Sequence, residues 1–248
     1  MTVYYHRCAD VAHSSRLAVR TPGIADIQGV FVVDDSFARR FTLGSPPASV
    51  ADHVFRTLLD AIVEGELVAG TALHDREWAL TLGVSRTPVR EAIQRLDGLG
   101  LLEVAPARYT RLRTFSVEEA HREARDWASL HHALVAHLVA AVPEGLLELL
   151  HRVRVAFRRL VQAGKDAAVE HFAFFQALRE ASRSFSLRLG ATAAAYRLCL
   201  AAPVLTHTAH AHGELHAGIM GALTGGGHDE ARRALAAWVN HRGTGDSK

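Results

Sequence analysis

The chain has 248 residues and a formal net charge of +2, from 28 Lys+Arg against 26 Asp+Glu, so whole-chain charge neither demands nor excludes a polyanionic partner. Cys8 and Cys199 are the two cysteines and stand far apart, which excludes a disulfide framework and fits a reducing cytoplasm. No run approaches the roughly 18 to 20 apolar residues that span a bilayer, and the N-terminus lacks a signal-peptide core; a cytoplasmic protein without a membrane partner, in two modest domains, is the expectation.

Residues 1–48 mix Gly, Pro, Ser and charge around the apolar run GVFVV at 29–33 and close on GSPP at 44–47. That composition predicts a poorly ordered extension ending in a linker. A compact unit over 49–115 follows. Ser49 is placed to cap a helix over about 50–64, with Val50, Val54, Leu58 and Ile62 at spacing four, Phe55 and Leu59 widening the stripe, and Gly65 at its end. DREWALTLG (75–83) predicts a second short helix with Trp78, Ala79 and Leu82 inward, stopped by Gly83 in the positive-φ conformation of a sharp turn. Ser85 is expected to cap a third helix, with Pro88 harmless in its first turn. Val89, Ala92, Ile93 and Leu96 form its buried stripe, leaving Thr87, Arg90, Glu91 and Gln94 on the opposite side.

Two helices joined by a tight Gly turn are a helix-turn-helix, whose second helix offers its N-terminal residues to the major groove. Arg86, Thr87 and Arg90 stand there, and an arginine fork can bond O6 and N7 of guanine or grip a phosphate. LLEVAPARYTRLRTF (101–115) then reads as a hairpin wing around Pro106-Ala107-Arg108-Tyr109. Acids balance arginines over the whole unit, so a basic face must come from arrangement. From 86 to 113, Arg86, Arg90, Arg95, Arg108, Arg111 and Arg113 face only Glu91, Asp97 and Glu103. Arg95, near the far end of the third helix, reads as structural.

Beyond residue 116 the chain turns Ala- and Leu-rich at three- and four-residue spacing. Helices are expected at about 117–141, 144–163, 166–182, 186–201, 204–224 and 228–241. The fold class is therefore mainly α: a winged helix-turn-helix over 49–115, then an antiparallel all-helical bundle of six or seven helices over 116–242, and a tail at 243–248.

The stretches ADHVFRTLLDAIVEGELVAGTAL (51–73), DREWA (75–79) and LGVSRTPVREAIQRLDGLGLLEV (82–104) strongly resemble the winged helix-turn-helix domain of the GntR family of bacterial transcriptional regulators. The resemblance implies DNA contacts by Arg76, Arg86 and Arg90, phosphate contacts by Ser85 and Thr87, and wing contacts by Arg108, Tyr109 and Thr110. Tyr109 stands where the family usually has a wing-tip glycine. The SVEEA opening at 116–120 and the all-helical pattern resemble the FadR-like ligand-binding domain, which implies a homodimer sensing a small organic acid or related metabolite.

Many members of that subfamily hold a divalent metal with one Asp and three His. Aligned on that pattern, this chain has His171 at the aspartate position, Phe175 at the first histidine, His216 retained and Trp238 at the last histidine; Ala128 and His132 stand at the usual first-helix Arg and Glu. Phe and Trp carry no lone pair suited to such a metal, so no metal or other cofactor is expected. His132, His171 and His216 are candidates for an effector pocket, the alternative being ordinary packed or surface histidines. Two functions follow. One is a ligand-responsive repressor binding a pseudo-palindromic duplex as a dimer; the other is a His- or metal-dependent helical enzyme with the winged unit as an interaction module, against which stand the missing nucleophile, HExxH and phosphate-loop motifs.

Overall fold

The computed structural model describes residues 49–105 and 108–241, which fall into two compact units, 49–113 and 114–241. The extension 1–48 and the tail 243–248 lie outside the described residues.

In the first unit, helix α1 (Val50–Val63) begins at Ser49, whose Oγ accepts from Asp52 N at 3.1 Å. Val54, Leu58, Leu59 and Ile62 are buried, whereas Val50 is 55% exposed. A spacing of four turns 400° on an α-helix, so the row drifts 40° per step and Val50 ends about 80° from Leu58. Ala51, not Val50, continues the buried face. Helix α2 (Asp75–Leu82) ends at Gly83, which takes φ +66°, the left-handed conformation open to glycine. Helix α3 (Arg86–Gly98) follows at once and packs along α1, with Val89, Ala92 and Leu96 wholly buried. Ile93 is only partly covered.

Strands β1 (Leu102–Ala105) and β2 (Tyr109–Leu112) pair antiparallel, Leu102 opposite Leu112 and Glu103 opposite Arg111. The linker after α1 adds a third edge that periodicity gave no reason to expect: Leu73 N donates to Thr110 O and Leu112 N to Thr71 O, each at 2.8 Å. The wing is thereby anchored to the body by Leu73, Leu101, Leu102 and Leu112, all buried.

In the second unit, α4 (Val117–Ala140) opens on a reciprocal capping box: Glu119 N donates to Ser116 Oγ at 3.2 Å and Ser116 N to Glu119 Oε2 at 2.8 Å. Its buried face, Ala120, Ala124, Trp127, His131, Leu134 and Leu138, recurs every three or four residues. Helices α5 (Leu146–Gln162), α6 (Ala168–Ala181) and α7 (Phe185–Ala201) follow. The expected helix over 204–224 starts later, at Ala209. A 3-10 turn at Ala202–Val204 contains Pro203, which has no N–H to continue a helix, and α8 (Ala209–Gly221) restarts at Thr208, whose Oγ1 accepts from Ala211 N at 3.2 Å. A π-turn at Ala222–Gly226 leads into α9 (Gly227–Val239). Helix α4 lies against α7 and α9, and α5 against α6 and α8. Helices α8 and α9 approach so closely at Gly218 that a methyl group there would overlap the Ala234 side chain.

Candidate nucleic-acid interface

The first turn of α3 carries the predicted side chains outward. Arg86 and Arg90 are 54% and 61% exposed, and Ser85 and Thr87 are exposed beside them. Ser85 has the extended backbone of an N-cap (φ −74°, ψ 164°), yet its hydroxyl makes no capping bond, contrary to expectation. Because Pro88 has no N–H and the Ser85 side chain does not reach back, the opening turn of α3 presents unsatisfied donors and its positive dipole end outward. Arg76 is exposed on α2.

Periodicity did not reveal the partner of the two recognition arginines. Asp75, the first residue of α2, receives Arg86 Nη2 at 3.0 Å and Arg86 Nε at 3.3 Å on Oδ2, while Arg90 Nε donates to the same Oδ2. Partial burial acts to raise the Asp75 carboxyl, but the bonds from Arg86 and Arg90 outweigh it and hold the group below its ordinary value. The remaining arginines are engaged differently. Arg95 pairs with Asp52 at 2.6 Å and lies 3.9 Å over the Phe55 ring, which ties α3 to α1 as a structural arginine would. Arg111 pairs across the wing with Glu103 at 2.7 Å and covers Tyr109 at 4.6 Å.

Between α3 and the wing runs a cleft of about 420 Å³ lined by Asp75, Arg90, Gln94, Arg108, Tyr109 and Thr110, among others. It brings the wing residues and the recognition helix onto one surface. Arg108 and Tyr109 are exposed, and Thr110 is half-buried, with its carbonyl accepting from Leu73 N.

The second unit buries a cluster of rings. His171 Nδ1 and His216 Nε2 are hydrogen-bonded at 3.1 Å, and the His212 ring lies tilted with its centre 4.0 Å from that of His171. Phe174, Phe175, Trp127 and Trp238 surround them, with Phe174 4.1 Å from His216 and Trp127 4.8 Å from Trp238. His132, the third candidate, is not in this cluster; its ring neighbour is His228 at 6.3 Å. His131 joins from α4, donating through Nδ1 to Trp127 O at 2.8 Å and leaving Nε2 as an acceptor for Arg179 Nη1 at 3.4 Å.

Burial holds these imidazoles neutral. It pushes His131, His212 and His216 down to about 3 and His207 to about 4, and it lowers His171 well below its usual range. Neighbouring charges add to the effect: Arg179 acts on His131, and His212 on both His171 and His216.

Arg179 was not anticipated as a site residue. It is 3% exposed, its guanidinium lies 4.8 Å over Phe172, and no carboxylate among the described residues forms an ion pair with it; burial lowers it to about 10. Four buried side-chain atoms among the described residues, His132 Nε2, Arg154 Nε, His216 Nδ1 and Trp238 Nε1, have no hydrogen-bond partner.

The metal that the FadR-like resemblance implies does not fit these residues. His171 and His216 spend their facing nitrogens on each other, Phe175 and Trp238 offer no donor, and no group of three or more His, Cys, Asp or Glu among the described residues has the arrangement to hold a metal ion.

A short helix pair joined by a glycine turn, arginines at the start of the second helix and a β-wing on the same surface define a winged helix-turn-helix DNA-binding domain, here followed by a helical bundle. Residues 50–112, the span of the winged unit, match the family described as "Bacterial regulatory proteins, gntR family". Over 68 residues the chain is 43% identical to the HTH-type transcriptional regulator Mce2R of Mycobacterium tuberculosis, covering 27% of this chain and 28% of that protein. It is 27% identical over 119 residues to the HTH-type transcriptional repressor RspR of Escherichia coli, covering 46% and 52%. These curated relatives are thus matched over about half their length or less. Among solved structures, McbR/YncC of E. coli shares the fold, with TM-score 0.65, 22% identity, and 77% of this chain and 93% of that one covered. No helix among the described residues is long and apolar enough to cross a membrane.

Proposed function

We propose that the chain is a ligand-responsive transcriptional repressor that binds a pseudo-palindromic operator as a homodimer. The observation that carries this reading is the pair of exposed guanidinium groups, Arg86 and Arg90, on the opening turn of α3. In this geometry they read base edges. Arg76, Ser85 and Thr87, with the uncapped helix start, take phosphates, and Arg108, Tyr109 and Thr110 follow the backbone from the wing. A two-fold dimer doubles a recognition surface that one short helix makes too small. A selected duplex should bind in a salt-dependent manner, and Arg90→Ala should weaken it by about 1 to 3 kcal/mol. Equal affinity for random DNA, with Arg90→Ala indistinguishable from the parent, would remove the reading.

The helical unit is the sensor, and its effector is a small organic acid or related metabolite. Support comes from Arg179, a buried cation without a carboxylate partner, and from the orphaned His216 Nδ1 and Trp238 Nε1, groups that a polar ligand would satisfy. The sensor works without a divalent metal, since its donor set has been replaced by rings; elemental analysis of untagged protein should find far less than one Zn, Ni or Mn per chain.

A further inference from the structure

The carboxylate of Asp75 sits in the middle of the surface assigned above to a polyanion. An acid there is unfavourable for binding phosphate, so its presence calls for a physical account. Asp75 stands at the start of α2 and its partners stand 11 and 15 residues later at the start of α3, so the contact spans the turn of the helix-turn-helix motif. Both arginines converge on one oxygen, Oδ2, while Arg86 Nη2 also reaches Oδ1 at 3.1 Å. A long guanidinium side chain loses rotamer freedom when it docks on a base. One held by a fixed carboxylate has already lost much of it. The same carboxylate cancels part of the charge that would otherwise attract any phosphate, whatever the sequence.

We infer that Asp75 is a positioning and specificity-determining residue: it orders the Arg86 and Arg90 guanidinium groups for base readout and suppresses sequence-independent binding to phosphate. This inference rests on the DNA-binding reading of α3. The carboxylate does not need to leave when DNA arrives. Each arginine keeps N–H groups beyond those bonded to Asp75, because a guanidinium has five, and those are free to face a guanine edge. The net result is lower affinity for arbitrary duplex and a larger gap between the right sequence and the wrong one.

The test uses the full chain. Duplexes are first selected from a random library by the parent protein; without enrichment, the DNA-binding reading itself fails and takes the Asp75 role with it. With a selected site in hand, Asp75→Asn keeps the shape and removes the charge. Binding to the selected duplex and to a scrambled one of equal length is measured across a salt series. The ratio of the two affinities should fall about tenfold, of the order of one bidentate base contact. Affinity for the scrambled duplex should rise several-fold, and its slope of log K against log salt should steepen by about 0.9, one added phosphate contact. Asp75→Glu, which restores a carboxylate on a longer arm, should recover most of the ratio. An unchanged ratio in Asp75→Asn overturns the inference. So does an Asp75→Glu protein as unselective as Asp75→Asn, because the loss would then come from the start of α2 and not from the carboxylate.

Discussion

The two units handle ionisable groups in opposite ways. The winged unit keeps its arginines outside, balanced by carboxylates at the surface: Arg86 and Arg90 on Asp75, Arg95 on Asp52, Arg111 on Glu103. The bundle takes imidazoles and one guanidinium inside and keeps the imidazoles neutral by burial. A surface of paired charges can turn its remaining N–H groups to a duplex at small cost, because exposed ion pairs contribute little to stability. A buried polar cluster cannot change its protonation or hydrogen bonds without disturbing the core. Binding DNA therefore suits the first unit, and coupling a ligand to packing suits the second.

Acid separates the two most strongly. Unfolded histidine titrates near 6.5, whereas His131, His212 and His216 fold with values near 3. Below pH 6.5 the unfolded chain binds protons that the folded bundle refuses. The stability these neutral rings contribute is complete above 6.5 and is lost as pH falls toward 3, at up to about 1.4 kcal/mol per ring per pH unit. At pH 5 that reaches about 2 kcal/mol for each ring. The winged unit carries the reverse sign at Asp60, where burial raises the carboxyl to about 6 despite Arg56. The folded form there holds its proton where the unfolded form has lost it, so falling from pH 7 to 5 relieves a cost. Urea unfolding followed by Trp127 and Trp238 in a Trp78→Phe background should show the bundle midpoint dropping sharply from pH 7 to 5. Matching midpoints would mean that the imidazoles are not buried as described.

The ring cluster itself gives the next largest effect. Phe175 is 1% exposed and lies within 4.6 Å of Trp127, 5.1 Å of His131, 5.2 Å of His171 and 5.3 Å of Phe174, measured between ring centres. Phe175→Ala should cost the bundle about 3 to 5 kcal/mol, from lost burial and the cavity left behind. The same fluorescence-detected unfolding measures it. A loss below about 1 kcal/mol would show the site collapsing freely, which a close-packed ring cluster cannot do.

These contrasts also explain what could be read before any coordinates. The three short helices and the wing follow from local signals: the Val89, Ala92 and Leu96 stripe, the glycine at 83, and the β-prone runs on either side of Pro106. The contacts that tune the site join residues without a helical or strand spacing. Asp75 meets Arg86 and Arg90 across a turn, so no periodic pattern marks it. Arg179 did leave a trace, for it follows Phe172 and Phe175 at spacings of seven and four on the buried face of α6, where a surface arginine would not fall. The break between α7 and α8 is legible at Pro203, between the expected helices 186–201 and 204–224, but the restart at Ala209 behind the capping Thr208 lies five residues later than expected because the intervening residues carry no strong stop signal. Likeness to a metal motif groups His132 with His171 and His216, but with that motif's ligands replaced the likeness carries no geometric information about His132.

The smallest expected effect sharpens the comparison between units, because it uses one residue type at one structural position. Ser116 and Ser85 are both N-caps, of α4 and α3. Ser116 Oγ accepts from Glu119 N, and Glu119 returns a bond to the cap, so Ser116→Ala should destabilise the bundle by about 1 kcal/mol. Ser85 makes no such bond. Its hydroxyl therefore contributes nothing comparable to the stability of α3, and Ser85→Ala should unfold like the parent while binding a selected duplex more weakly, by the loss of one phosphate hydrogen bond. Thermal melts and salt-series binding on both variants test the pair. A Ser85→Ala protein that melts like Ser116→Ala and binds DNA unchanged would turn Ser85 into an ordinary cap and remove it from the interface. The reverse pattern would show the same side chain serving stability in the bundle and recognition in the winged unit, according to whether its hydrogen bond is spent within the fold or left for the phosphate.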